Sequence, residues 1–198
     1  GYTALSINFR GSTGFGKAFV AAGNGEWGGR MQDDLLDAVD WAVRERIADP
    51  AKVAIMGTSF GGYATLAGLA FHPERYACGA SLVGPSNLET LMASLPASWA
   101  NDREDIFRRV GDPRTPAGRE LLRAHSPLNR AADIRRPLLI GQGATDPRVP
   151  QAESDQIVTA MRRAGLPVTY LLFPEEGHGF GRPQNRLAPN PPRNRQAR

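Results

Sequence analysis

Three residues that lie far apart in this 198-residue chain have the types and the order to share one reaction: Ser59, Asp146 and His178. Ser59 sits in Gly57-Thr-Ser59-Phe-Gly61, a G-x-S-x-G pattern with an apolar run before it and a helix-like stretch after it. Such a turn is sharp, so glycines at its flanks let the backbone pass closely while the serine hydroxyl stands above the sheet. Alone the pattern is weak, because small residues also mark ordinary strand-to-helix turns. A serine nucleophile needs a base to take its proton and an acid to orient that base, and in this context they follow in the order Ser, Asp, His on loops after later strands. Asp146, in Gly143-Ala-Thr-Asp146-Pro-Arg-Val-Pro150, and His178, in Pro174-Glu-Glu-Gly-His178-Gly-Phe180, occupy such loops. Position alone leaves Asp146 open between that role and a turn aspartate before proline. The glycines beside His178 predict a ring held where the backbone must bend closely. His72, at a helix end, and His125, ahead of the aspartate strand, suit the order poorly.

A second glycine-rich stretch competes for the active site. Gly11-Ser-Thr-Gly-Phe-Gly-Lys-Ala18 nearly spells the phosphate-binding pattern G-x-x-x-x-G-K-[ST]. That chemistry needs a hydroxyl after the lysine to hold Mg²⁺ and a helix directly behind it. Position 18 is alanine, the next residues are broken by Gly23, Gly25, Gly28 and Gly29, and no later apolar strand ends directly in an aspartate. Lys17 reads instead as an exposed loop lysine.

The elements that must position these residues follow from periodicity. Tyr2 to Phe9 reads as a strand, and Met31 to Ile47 as a helix with Leu35, Leu36, Val39, Val43 and Ile47 on one face. Lys52 to Met56 is a buried strand, Tyr63 to Phe71 a helix, and Ala77 to Val83 a further strand that buries Cys78. Pro85 to Arg136 is polar and proline-punctuated, an excursion of two or three short helices. The pattern then resumes with a strand at Pro137 to Ile140, a helix from Ala152 to Ala164 and a strand from Pro167 to Phe173. Strands alternating with helices predict an α/β architecture with a parallel sheet and right-handed crossovers. The loops after adjacent parallel strands open on one edge, so Ser59, Asp146 and His178 would meet there.

Composition narrows the partners. The formal charge is +4, from 24 basic and 20 acidic residues, yet Arg182, Arg186, Arg193, Arg195 and Arg198 crowd the last 18 residues, where no acid occurs. Without those five, residues 1–180 hold 19 basic and 20 acidic residues, a net charge of −1, so the body offers no basic face for nucleic acid. The 41% hydrophobic content suits a globular domain, and no run approaches the ~18 apolar residues of a membrane span. One cysteine excludes an internal disulfide. Residues 182–198, with prolines and arginines and little to bury, are expected to be a disordered basic tail. The start at Gly1, without an initiator Met, suggests a fragment, and a cytoplasmic location is expected over a secreted one.

Several stretches together resemble the catalytic domain of the prolyl oligopeptidase family of serine peptidases. They are Asn8-Phe-Arg-Gly-Ser-Thr-Gly-Phe-Gly16, Glu26-Trp-Gly-Gly29, Asp49 to Tyr63, Asp146-Pro-Arg-Val-Pro150 and Glu176-Gly-His-Gly-Phe180. The resemblance implies an α/β-hydrolase fold over residues 1–181: a mostly parallel sheet with helices on both faces, lacking its first strands. It implies Ser59 as nucleophile, Asp146 as orienting acid, His178 as base and the Phe60 N–H as one oxyanion donor. Arg148 and Val149 would contact substrate, and Leu88 and Leu91 would line the pocket for the residue before the cut. The second oxyanion donor would come from a histidine-glycine-glycine-proline type stretch ahead of Gly1. The family's strand order also puts an absent strand between Tyr2 to Phe9 and the nucleophile strand, so a gap or a non-native pairing is expected there. Short peptides would be the substrate, cleaved without a metal or an organic cofactor. A carboxylesterase of the same fold and a catalytically incomplete fragment are the other readings.

Overall fold

Four short apolar runs, each followed by a turn and a helical stretch, build one parallel sheet. In the computed structural model, which describes residues 2–186, the strands are β1 (Ala54–Thr58), β2 (Cys78–Leu82), β3 (Leu138–Gly143) and β4 (Val168–Phe173), side by side in chain order. The register sets Gly57 beside Ser81, Ser81 beside Ile140 and Ile140 beside Tyr170. The helices are α1 (Lys17–Ala21), α2 (Arg30–Arg44), α3 (Phe60–Phe71), α4 (Leu88–Ala93), α5 (Arg103–Val110), α6 (Pro116–Ala124), α7 (Gln151–Arg163) and α8 (Pro183–Arg186).

The strand order explains where the helices lie. When strands advance across the sheet in one direction, successive right-handed crossovers all return over the same face. Helices α3 and α7 therefore pack on the face carrying Ile55, Ile140 and Tyr170, with Leu66, Leu69, Ile157 and Met161 between them and the sheet. The expectation of helices on both faces is met on this face only among the described residues. On the other face Met56 is 75% exposed and Ala80, Leu82 and Leu139 are half-buried. Cys78, expected to be buried, is exposed for the same reason: it opens β2 on the uncovered face.

Helix α3 is apolar all round because it serves two clusters. Leu66, Leu69 and Ala70 face the sheet, while Tyr63 and Ala67 pack with Leu88, Phe107 and Leu122 of the excursion after β2. Asn87 caps α4 by accepting from the Glu89 N–H, and Thr115 caps α6 by accepting from the Gly118 N–H. Helix α2 stops at Arg44, three residues short of the expected Ile47. Arg46 takes a left-handed φ of 60°, and the Arg46 and Ile47 amides turn back to the carbonyls of Val43 and Ala42, closing a Schellman cap with arginine in the usual glycine place.

The strand expected at Tyr2 to Phe9 is not formed. Among the described residues β1 pairs with β2 alone, leaving the expected gap beside the nucleophile strand, and Tyr2 and Leu5 are exposed. With no ladder to join, this segment is held at its end. The Arg10 guanidinium donates to both carboxylate oxygens of Asp34 on α2, at 2.8 and 2.6 Å, and the Arg10 N–H adds a third bond at 2.8 Å. These bonds hold the Asp34 carboxyl below its ordinary range. The expected tail begins with the short α8, and residues 187–198 lie outside the described residues.

Leu69 is fully buried, and a Cβ on Gly79 of β2 would sit 2.7 Å from its Cδ1. Leu69→Ala removes this buried side chain from the core and should cost about 2–5 kcal/mol in urea unfolding. A loss under about 1 kcal/mol would contradict this packing.

Candidate active site

Ser59 joins the end of β1 to the start of α3 with φ 59° and ψ −117°, a conformation that costs a non-glycine residue about 1–3 kcal/mol. Close backbone contacts enforce it. A Cβ on Gly57 would lie 2.4 Å from the Gly61 carbonyl carbon, and one on Gly62 would lie 2.8 Å from Gly84 Cα. Hydrogen bonds finish the turn: the Ser59 N–H donates to Leu82 O at 2.9 Å, and the Ser81 hydroxyl to Gly62 O at 3.0 Å. The Phe60 N–H is the first of α3, among the amides that a helix leaves without an internal partner.

Asp146 follows β3 in a turn that satisfies its carboxylate from both sides. Its Oδ1 accepts from the N–H groups of Arg148 at 2.8 Å and Val149 at 3.0 Å, and its Oδ2 lies 2.7 Å from His178 Nδ1. The other ring nitrogen, His178 Nε2, is 2.8 Å from Ser59 Oγ. The three residues separated by sequence thus form one hydrogen-bonded line. With its proton on Nδ1, the ring donates to Asp146 and presents its Nε2 lone pair to the Ser59 hydroxyl. A serine so placed can lose its proton to the ring as it attacks, and the carboxylate stabilises the imidazolium that forms.

The loop carrying His178 is held by a residue that the sequence does not single out. Glu176 is 3% exposed, and its carboxylate accepts from the N–H groups of Gly181 at 2.7 Å and Arg182 at 3.1 Å and from the Asn185 side-chain amide. Its carbonyl accepts from the Thr145 N–H and hydroxyl, tying the histidine loop to the aspartate loop. The bond from Asn185, then those from the two backbone amides, hold the Glu176 carboxyl below its ordinary 4.5. The glycines beside His178 are not where the backbone is tight: a Cβ on Gly177 or Gly179 would meet open space. The close approach falls on Gly143, whose Cβ would lie 2.3 Å from Gly177 O.

A cavity of about 400 Å³ opens at Ser59 and His178. Arg148, Val149 and Leu91 line it, together with Trp27, Phe60 and Trp99. Leu88 does not. It lies fully buried at the start of α4, packed with Tyr63 and Leu122, and only the next turn of that helix reaches the cavity. Trp27 and Phe60 meet edge to face at 4.6 Å, and Phe9 packs against Phe60 at 5.0 Å with the rings tilted by 40°, so the opening segment contributes to the wall without being a strand. His125 lies beside Gly28 and Gly29, with its Nδ1 buried and unpaired, and burial pushes its pKa down. Among the described residues no three His, Cys, Asp or Glu side chains are grouped to hold a metal ion.

The sequence profile of the prolyl oligopeptidase family matches residues 1–189. The chain belongs to the prolyl oligopeptidase family. Within it, dipeptidyl aminopeptidase BIII of Pseudoxanthomonas mexicana is 62% identical over 190 residues, covering 96% of this chain and 28% of that protein. Dipeptidyl peptidase family member 6 of Caenorhabditis elegans is 52% identical over 188 residues, covering 94% and 25%. Among solved structures, a Mycobacterium tuberculosis puromycin-hydrolyzing peptidase superposes with a TM-score of 0.78 at 32% identity, over 87% of this chain and 25% of that one. The chain therefore spans about a quarter of the length of the relatives it matches. The α/β-hydrolase architecture is common to this chain and these prolyl oligopeptidase family structures.

Two substitutions test this geometry. Gly57→Ala drives a methyl into the Gly61 backbone and displaces Ser59, and should cut turnover about 100-fold or more; wild-type turnover would contradict the close contact. Because the Glu176 carboxyl is depressed in the folded state, its contribution is full above the ordinary glutamate range and is lost as pH falls through the folded value. Glu176→Gln should lower hydrogen-exchange protection of the Gly181 and Arg182 amides about tenfold at neutral pH, and the wild type should converge on the variant in acid. Equal protection at neutral pH would show that the carboxylate does not hold the loop.

Proposed function

We propose that this chain carries the catalytic residues of a serine peptidase that hydrolyses peptide bonds of short peptides through an acyl-enzyme. One observation carries the reading: Ser59 Oγ, His178 and Asp146 stand in line at 2.8 and 2.7 Å, on three loops of one sheet edge. Ser59 Oγ attacks the scissile carbonyl carbon while His178 Nε2 takes its proton. The carbonyl oxygen gains negative charge and accepts from the Phe60 N–H. As the tetrahedral adduct collapses, the C–N bond breaks and His178 returns the proton to the leaving amine. Water then attacks the Ser59 ester, giving a proton to His178, and Ser59 leaves with that proton restored. Asp146 keeps the ring in the tautomer that the first step needs.

The apolar walls of the cavity, from Trp27, Leu91, Val149 and Val110, suit an apolar side chain on the residue before the cut. The 62% identity to a dipeptidyl aminopeptidase supports release of dipeptides from the amino terminus as the form this activity takes.

The test is hydrolysis of a dipeptidyl anilide by the full-length protein, beside the matching acyl ester. Ser59→Ala should reduce anilide turnover by about 10⁴-fold or more while leaving the fold intact. Anilide turnover that survives the substitution would remove Ser59 from the reaction, and cleavage of the ester alone would replace the peptidase by an esterase.

A further inference from the structure

A second groove, of about 530 Å³, adjoins the cavity at Ser59. Val20, Asn24 and Arg109 border both, so the two lie on either side of the same residues. Among the described residues its ionisable lining is entirely cationic, from Lys17, Arg108 and Arg109, with no carboxylate. Both arginines share one carboxylate, that of Asp105 one turn back on α5: Arg108 bonds its Oδ1 and Arg109 its Oδ2, the latter at 2.6 Å. Lys17 makes no ion pair among the described residues. Three positive charges therefore line the groove, two of them sharing one carboxylate and Lys17 with none, although residues 1–180 as a whole carry −1.

The glycine loop puts Lys17 there. Gly14 and Gly16 hold φ of 92° and 89° with open space where their side chains would be, so the loop forms a low wall and Lys17 stands at its end. On the other side the Gly25 N–H donates to Arg109 O at 2.8 Å, fixing the segment after α1 against α5. Lys17, the first residue of α1 after the glycine loop, thus supplies a cation to a groove beside the cavity at Ser59.

We propose that Lys17, Arg108 and Arg109 form a substrate subsite for a carboxylate of the bound peptide. The proposal rests on the peptidase reading. A peptide whose scissile bond lies at Ser59 and whose chain runs past Arg109 would bring either its terminal carboxylate or an acidic side chain between Lys17 and Arg108. Guanidinium and ammonium donors meet a carboxylate with short, charge-assisted hydrogen bonds. Because the groove is open to solvent, the attraction is screened by salt.

The experiment is calorimetric binding to full-length protein carrying Ser59→Ala, so that peptides are held and not cut. Three tetrapeptides of one apolar sequence are compared: the free acid, the carboxamide, and the carboxamide with glutamate as its last residue. The subsite predicts that at least one anionic peptide binds about tenfold tighter than the neutral carboxamide at low salt, with the difference shrinking as salt rises. Tighter binding of the free acid names the terminal carboxylate, and tighter binding of the glutamyl amide names the side chain. Lys17→Ala with Arg108→Ala should erase the difference and leave carboxamide binding within about twofold. Equal affinities for all three, no measurable binding of any, or a preference that survives the double substitution would overturn the subsite. The peptidase reading is judged separately, by wild-type hydrolysis of the neutral carboxamide.

Discussion

The site depends on one steric fact: the backbones on either side of Ser59 touch. Gly57 lies against Gly61, and Gly62 against Gly84, at separations that leave no room for a Cβ. That contact locks the turn between β1 and α3 and holds Ser59 at a positive φ it would not otherwise keep. It also sets the height of α3, and through Leu66 and Leu69 on one side and Tyr63 on the other, α3 fixes both core clusters. The parallel register then carries the constraint to β3 and β4, whose following loops bring Asp146 and His178 to the same edge.

The loops are rigid for a different reason. Asp146 and Glu176 are both carboxylates that accept from two backbone N–H groups, at Arg148 and Val149 for the first and at Gly181 and Arg182 for the second. Each organises a turn, and the Thr145 to Glu176 bonds join the two turns. His178 is thus held from both directions: its ring by Asp146 and its loop by Glu176. Fixing donor and acceptor before substrate arrives is what lets a proton move without reorganising its surroundings.

Most of this was legible in the sequence, because it rests on signals that sequence carries. Apolar runs of strand length alternating with helical periods marked β1 to β4, α3 and α7, and the order Ser, Asp, His after successive strands marked the line of three. What was not legible depends on tertiary partners. Leu88 and Leu91 are equally apolar, and only the placement of α4 decides that one is core and the other cavity wall. The alternating residues of Tyr2 to Phe9 suit a strand, but among the described residues β1 has no partner on that side, and Arg10 and Asp34 hold the segment instead. The end of α2 turned on a left-handed arginine, where the usual sign would be glycine. Glu176 was missed because its partners are mostly backbone amides, which have no residue type to read.

The most direct test of the central claim, that Ser59 is a nucleophile activated by His178 and Asp146, is reaction of the full-length protein with a fluorophosphonate, followed by mass spectrometry to locate the adduct. The geometry predicts a single modified serine, Ser59, with labelling strongly slowed by His178→Gln. Failure to label, or an adduct on a different serine, would contradict it.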